Sequence, residues 1–193
     1  MTATVPTPTR RKTAMLCICA VFTALTAVGA FIKVPIPVVP FTLQYLFTML
    51  AGLLLGGKYG AASVGAYVVL GLIGLPIFAE GGGIYYVLKP SFGYLIGFII
   101  GAYVTGRIAH KTNNPSLPRL LAANFAGLGI VYLAGMIYYY FCANFWIAGN
   151  GISLKALFVY CFALAVPGDI VLCILAAFLG KRLVPLTAKF GEK

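Results

Sequence analysis

Acidic residues are what this chain has least of. Among 193 residues there are three, Glu80, Asp169 and Glu192, against 14 lysines and arginines, and charges of both signs make up only 9%. Soluble domains carry about one-quarter charged residues, which excludes a water-exposed globular surface. With 62% hydrophobic residues, the chain belongs in a bilayer. Histidine is nearly absent too: His110 stands alone among basic residues at a helix end, with no cysteine or carboxylate neighbour to form a metal site. No nucleophile–base pair is available, so catalysis is not expected, and no cofactor is implied. The five cysteines (Cys17, Cys19, Cys142, Cys161, Cys173) are odd in number and lie inside apolar runs. That excludes a disulfide framework and leaves them as small buried side chains. Internal repeats are also missing, which argues against a transporter built from duplicated halves.

What is present is a series of apolar runs, about 14–32, 42–57, 60–79, 92–109, 119–146 and 155–180. A span needs about 20 residues, fewer where its ends are anchored. The expected fold is an all-α integral membrane protein of six transmembrane helices. The expected organisation is a tail over 1–13, one membrane domain over 14–183 and a second tail over 184–193. Arg10-Arg11-Lys12 before the first run imitates a signal peptide, but no convincing small-residue cleavage site follows, so the run reads as a retained helix. Six spans put both termini on one side. Eleven of the 14 basic residues then fall on that side, and only Lys33, Lys89 and Lys155 fall opposite. The positive-inside bias makes the side of the termini cytoplasmic. The net charge of +11 is therefore a topology signal rather than a nucleic-acid footprint.

Several motifs have plain packing explanations. Gly52-Leu53-Leu54-Leu55-Gly56-Gly57-Lys58 matches the start of a phosphate-binding loop, but Tyr59 replaces the Ser/Thr that would hold magnesium, and no strand precedes it. A closely packed helix terminus is expected there, and no ATP hydrolysis by this chain. Gly93, Gly97 and Gly101 recur on one helix face, as close helix packing requires. Ala20 and Ala24 form a small-residue face on the first helix that suits either packing or a partner.

The polar residues outside these motifs cluster on the side away from the termini. Gln44 and Tyr45 open the second run. Glu80, Tyr85, Tyr86, Lys89 and Ser91 occupy the next connection, Tyr94 starts the fourth run, and Asn144 and Trp146 close the fifth. The connections there, KVPIPVVPFT (33–42) and EGGGIYYVLKPS (80–91), are apolar and aromatic enough to form a lid or a pocket wall. Asp169 lies about 14 residues into the last run, which places it near mid-membrane. An intramembrane carboxylate costs roughly 2.5–3.5 kcal/mol on insertion scales. Pro167-Gly168 beside it frees backbone groups, a break tolerated where it lines a cavity. Either Asp169 pairs with a neighbour to hold helices together, or it tips a pocket for a small amphipathic molecule.

Five stretches together resemble the BioY family: VPIPVVPFTLQ (34–44), AGLLLG (51–56), GLPIFA (74–79), GYLIGF (93–98) and Pro167-Gly168-Asp169. The resemblance runs over about 14–183. It implies a biotin-specific substrate-binding (S) component of an energy-coupling factor (ECF) transporter in the cell membrane, a six-helix bundle with its pocket near the outside face. Its implied partners are biotin, membrane lipid, a transmembrane T component docking at Ala20 and Ala24, and two ATPase subunits that bind the ATP. Asp169 suits the ureido N–H groups of biotin, and Gln44 suits the ureido carbonyl or the carboxylate. Tyr85, Tyr86 and Tyr94 offer flat surfaces, and Lys89 is the available cation for the valerate. Ser91, Glu80 and Asn144 complete the expected set. In that family a lysine usually follows the aspartate three positions on, and a Gly-Pro-Thr-Gly-Gly-Tyr pattern is common where this chain has Lys89-Pro90-Ser91-Phe92-Gly93-Tyr94. Here the lysine position holds Leu172, which leaves two expectations: Lys89 or Glu80 compensates for the lost lysine, or the chain prefers a biotin analogue or a different carboxylic vitamin. The alternatives are an S-type component or stand-alone permease for a biotin analogue or other small carboxylic vitamin and, more remotely, an intramembrane enzyme using Asp169 and Glu80.

Overall fold

The computed structural model describes residues 8–34, 40–112, 114–146 and 151–187. Its order is α1 (Pro8–Phe31), β1 (Lys33–Val34), β2 (Phe41–Thr42), α2 (Gln44–Leu72), a 3-10 turn (Ile84–Leu88), α3 (Phe92–Ala109), α4 (Leu117–Phe141), α5 (Leu154–Phe158) and α6 (Val166–Thr187). Short π-helical turns, Cys142–Trp146 and Val159–Ala163, extend α4 and α5. Five of these stretches are long and apolar enough to cross a membrane: Lys12–Phe31, Gln44–Leu72, Phe92–Ala109, Leu117–Trp146 and Leu154–Pro185. The chain is a multi-pass membrane protein.

The second stretch crosses twice. Gly56 interrupts α2 with φ 77° and ψ 176°, a backbone region open essentially to glycine alone. On either side of it the two halves run back along each other. A Cβ on Gly60 would meet the Ala51 carbonyl at 2.9 Å, and at the far end Gln44 bonds Tyr67. Both pairs close on Gly56, so 44–55 and 57–72 form a helical hairpin and the passes among the described residues number six. His110 at the end of α3 braces the turn: its Nε2–H donates to the Leu53 carbonyl at 2.7 Å. The phosphate-loop look-alike is this turn. Gly52 is present for close approach, since a Cβ there would lie 2.6 Å from the Ala102 carbonyl of α3.

α2 packs on α1 and α3, α3 packs on α4, and α6 closes the bundle against α2 and α4. The glycine ridge of α3 lets α4 in: a Cβ on Gly97 would sit 2.8 Å from Val131 Cα. Large apolar side chains left exposed, such as Leu16, Val21, Leu133 and Phe178, face outward from this bundle as lipid-facing residues do.

Two run boundaries differ from the sequence expectation. The third pass ends at Leu72 rather than 79, because Gly74 adopts φ 118° and Pro76 follows. The last run is interrupted at Leu164-Ala165 and α6 begins only at Val166. Pro167 therefore lies in the first turn, where its missing N–H costs nothing. It opens a helix rather than breaking one.

Candidate functional site

A cleft of about 690 Å³, counting its open mouth, lies at the end of the bundle away from Pro8 and Thr187. Helix lengths set its depth. The first half of α2, residues 44–55, rises only about 18 Å from the turn at Gly56, short of a hydrocarbon core about 30 Å thick. Gln44, opposite Tyr67, therefore begins more than one turn short of the end of α2 at Leu72. Asp169 is equally recessed: 12 residues of α6, about 18 Å, separate it from Lys181, whose Nζ is held by Asn114 Oδ1 (3.2 Å) and the Pro115 carbonyl (3.0 Å).

Pro40, Phe41 and Thr42 cover one edge of the cleft. They are placed by the β1–β2 pairing, with Lys33 opposite Thr42 and Val34 opposite Phe41, and by Lys33 Nζ donating to the Ala79 carbonyl at 2.8 Å. The other prolines of that connection, Pro35 and Pro37, lie outside the described residues. The connection after α2 is folded rather than loose. Its Phe78 is 1% exposed, ring-to-ring with Tyr67 (5.4 Å) and Tyr86 (4.5 Å), and Gly83 N–H donates to the Gly71 carbonyl at 2.7 Å. This fold turns Tyr86 inward and leaves its neighbour Tyr85 81% exposed. Burial pushes the Tyr86 hydroxyl above its ordinary range, so it stays neutral.

Deeper in, Tyr94 of α3 donates to the Cys161 carbonyl at 3.0 Å, and Tyr45 stacks with Phe98 at 6.2 Å. Gln44 is oriented at both ends of its amide: Nε2 donates to Tyr67 Oη at 2.6 Å, and Thr42 Oγ1 donates to Oε1 at 3.2 Å. Asp169, in the first turn of α6, has the favourable end of a helix dipole. Gly168 before it lies against the Phe41 ring, 2.7 Å from where a Cβ would stand. Asp169 is 8% exposed, and the Tyr132 hydroxyl of α4 donates to its Oδ2 at 2.5 Å.

Of the expected site residues, the cleft brings together Gln44, Tyr86, Ser91, Tyr94 and Asp169. Four others do not line it. Lys89 Nζ pairs with Glu80 Oε2 at 3.2 Å and sits 5.1 Å above the Tyr86 ring, so both charges stay at the solvated rim. Neither is the partner of Asp169. Tyr85 faces outward, as does Asn144, whose Nδ2 donates to the Tyr140 carbonyl one turn back. With Phe145 and Trp146 also exposed, that surface has the character of an interfacial aromatic belt. Leu172 is packed into the apolar core. Ala20 and Ala24 lie on the exposed face of α1.

A family model described as the BioY family matches residues 2–189. The chain belongs to the BioY family. Among its relatives, a probable biotin transporter BioY of Lysinibacillus sphaericus is 45% identical over 174 residues, 90% of this chain and 88% of that one. The biotin transporter BioY of Thermotoga maritima is 47% identical over 128 residues, 66% of this chain and 72% of the relative. The crystal structure of the S-component for biotin from an ECF-type ABC transporter superposes with a TM-score of 0.81 at 32% identity, covering 92% of this chain and 94% of that one. The six-pass bundle seen here is thus the S-component fold.

For this BioY-family chain, sequence reasoning left out Tyr132, Tyr160, Cys161 and Phe98, all of which line the cleft. Phe98 and Cys161 sit in apolar runs as ordinary core residues do. Tyr132 had one signal, a hydroxyl that must find a partner when buried in an otherwise apolar helix. Nothing in the sequence named Asp169 as that partner.

Proposed function

We propose that this chain is the membrane subunit that captures biotin from outside the cell and delivers it to an ATP-driven ECF module. Its family and its S-component fold support that reading, and one local observation carries it. A recessed carboxylate, Asp169, tips an aromatic cleft whose other polar groups are neutral. Biotin is matched to such a cleft. Asp169 accepts from a ureido N–H, Gln44 turns its spare N–H toward the ureido oxygen, and Tyr86 and Tyr94 pack the bicyclic ring. The valerate then extends past Ser91 toward Lys89, which exchanges Glu80 for the ligand's carboxylate.

In this proposal the cleft faces outward, both termini are cytoplasmic and the membrane is the plasma membrane, as the distribution of basic residues favours. The exposed Ala20 and Ala24 face of α1 receives the T component, and two ATPase subunits bind the nucleotide. The chain performs no chemistry on its ligand. Calorimetric titration of the purified protein tests the reading. Biotin and desthiobiotin, which share the ureido ring, should both bind at submicromolar concentration and emerge unchanged. Failure of both to bind at micromolar levels overturns it.

One observation favours a second reading, a biotin analogue with a neutral tail. Among the described residues lining the cleft there is no lysine or arginine, and Lys89 is already paired. A carboxamide of biotin that binds more tightly than biotin itself would select this reading.

A further inference from the structure

Asp169 lacks the partner that an aspartate in a membrane usually has. The cleft lining carries no cation among the described residues, Leu172 one turn on is buried and apolar, and Lys89 is engaged by Glu80. The hydrogen bond to its carboxylate comes from a neutral group on another helix, Tyr132 Oη of α4 to Oδ2 at 2.5 Å. That hydroxyl has little freedom. The Tyr132 ring is 3% exposed and wedged edge-on between Tyr94 (6.0 Å) and Phe162 (5.1 Å), and Tyr94 is itself tied to the Cys161 carbonyl.

We propose that Tyr132 is the positioning residue of this site: it holds Oδ2 so that Asp169 presents Oδ1 to the cleft as an acceptor for a ring N–H of a neutral cyclic urea. The chemistry follows from the partner's neutrality. A lysine in that place would cancel the charge and compete for both oxygens. A phenol satisfies one oxygen and leaves the other strongly accepting, which selects ligands with donors and disfavours anionic groups at the deep end. The ligand's own carboxylate is therefore directed to the rim. Tyr132 itself need not touch the ligand.

This inference rests on the reading of Asp169 as the group that binds the ureido ring. The test is a mutant cycle on the full chain, reading biotin affinity for the wild type, Tyr132→Phe, Asp169→Asn and the double variant. Because a hydrogen bond to a charged group is worth about 1.5–3 kcal/mol, Tyr132→Phe should weaken binding about tenfold or more when Asp169 is present. In the Asp169→Asn background, the same change should move affinity less than about threefold, since the charged acceptor is gone and the amide oxygen accepts only a weaker, neutral hydrogen bond. Tyr132→Met, which fills the space without a donor, serves in the same cycle where the Phe variant does not fold. An equal loss in both backgrounds makes Tyr132 a packing residue and overturns the proposal, as does unchanged or tighter binding in Tyr132→Phe. Either of those results leaves the biotin reading intact if Asp169→Asn alone weakens binding. A wild type that binds no biotin overturns both.

Discussion

Asp169 is buried to 8% exposure at the head of a helix, where it lines the cleft and accepts, among the described residues, from one neutral side-chain donor. A buried charge that ties helices together is stabilised only where further hydrogen bonds satisfy its remaining lone pairs. Asp169→Asn preserves shape and removes the charge, so it should weaken biotin binding by roughly tenfold to a hundredfold, with little change in thermal midpoint. Lys89 stands in contrast. Its pair with Glu80 is 42% and 43% exposed, and solvated pairs contribute about 0–1 kcal/mol. Lys89→Gln should therefore raise the biotin dissociation constant less than about fivefold; a hundredfold loss would mean that Lys89 and the ligand's carboxylate pair out of water rather than at a solvated rim. At this scale the sequence was legible where a polar residue interrupts an apolar run, as with Gln44 and Asp169. It was not legible where neighbours share a chemistry. Tyr85 and Tyr86 look alike as letters, and only the pinning of the 3-10 turn by Phe78 and Gly83 separates them.

Among the elements, the hairpin within α2 decides the most. Its turn depends on one glycine with φ 77° and ψ 176° and on the His110–Leu53 bond. A Cβ at Gly56 finds space, its nearest neighbour being the His110 ring at 3.8 Å, so the penalty is one of backbone alone. Gly56→Ala should destabilise the protein by about 1–3 kcal/mol, seen as a lower thermal midpoint in detergent. Gly65→Ala, in the same helix with nothing within 4 Å, should leave the midpoint unchanged or raised, since alanine is the better helix former. Helix existence was readable from run length and hydropathy, and the third and sixth runs were misjudged for identifiable reasons. Residues 73–79 are as apolar as a helix but contain Gly74 and Pro76 at a turn. The Pro167-Gly168 pair reads as a break inside a helix, yet it starts α6, because the interruption falls earlier, at Leu164-Ala165. That shift puts Asp169 at a helix N-terminus, where its charge is favoured.

The whole molecule has one recessed end and one basic end. Lys58, Arg107, Lys111, Arg119, Lys181 and Arg182 gather where the α2 hairpin turns and where α3 meets α4. Lys155 lies with the cleft at the opposite end. In intact cells, a membrane-impermeant maleimide should label Lys155→Cys and spare Lys58→Cys until the membrane is opened; the reverse pattern would invert the proposed orientation. In the proposed function the T component drives release of the ligand, so cells expressing this chain without one should bind biotin at the surface and accumulate none. The central claim, that biotin lies in this cleft with its ureido ring at Asp169, is tested most directly by a crystal structure of the protein with biotin bound. A ureido nitrogen within about 3 Å of the Asp169 carboxylate, with the valerate directed toward Ser91 and Lys89, is the predicted result. Biotin bound in the opposite sense, or outside the cleft, would contradict it.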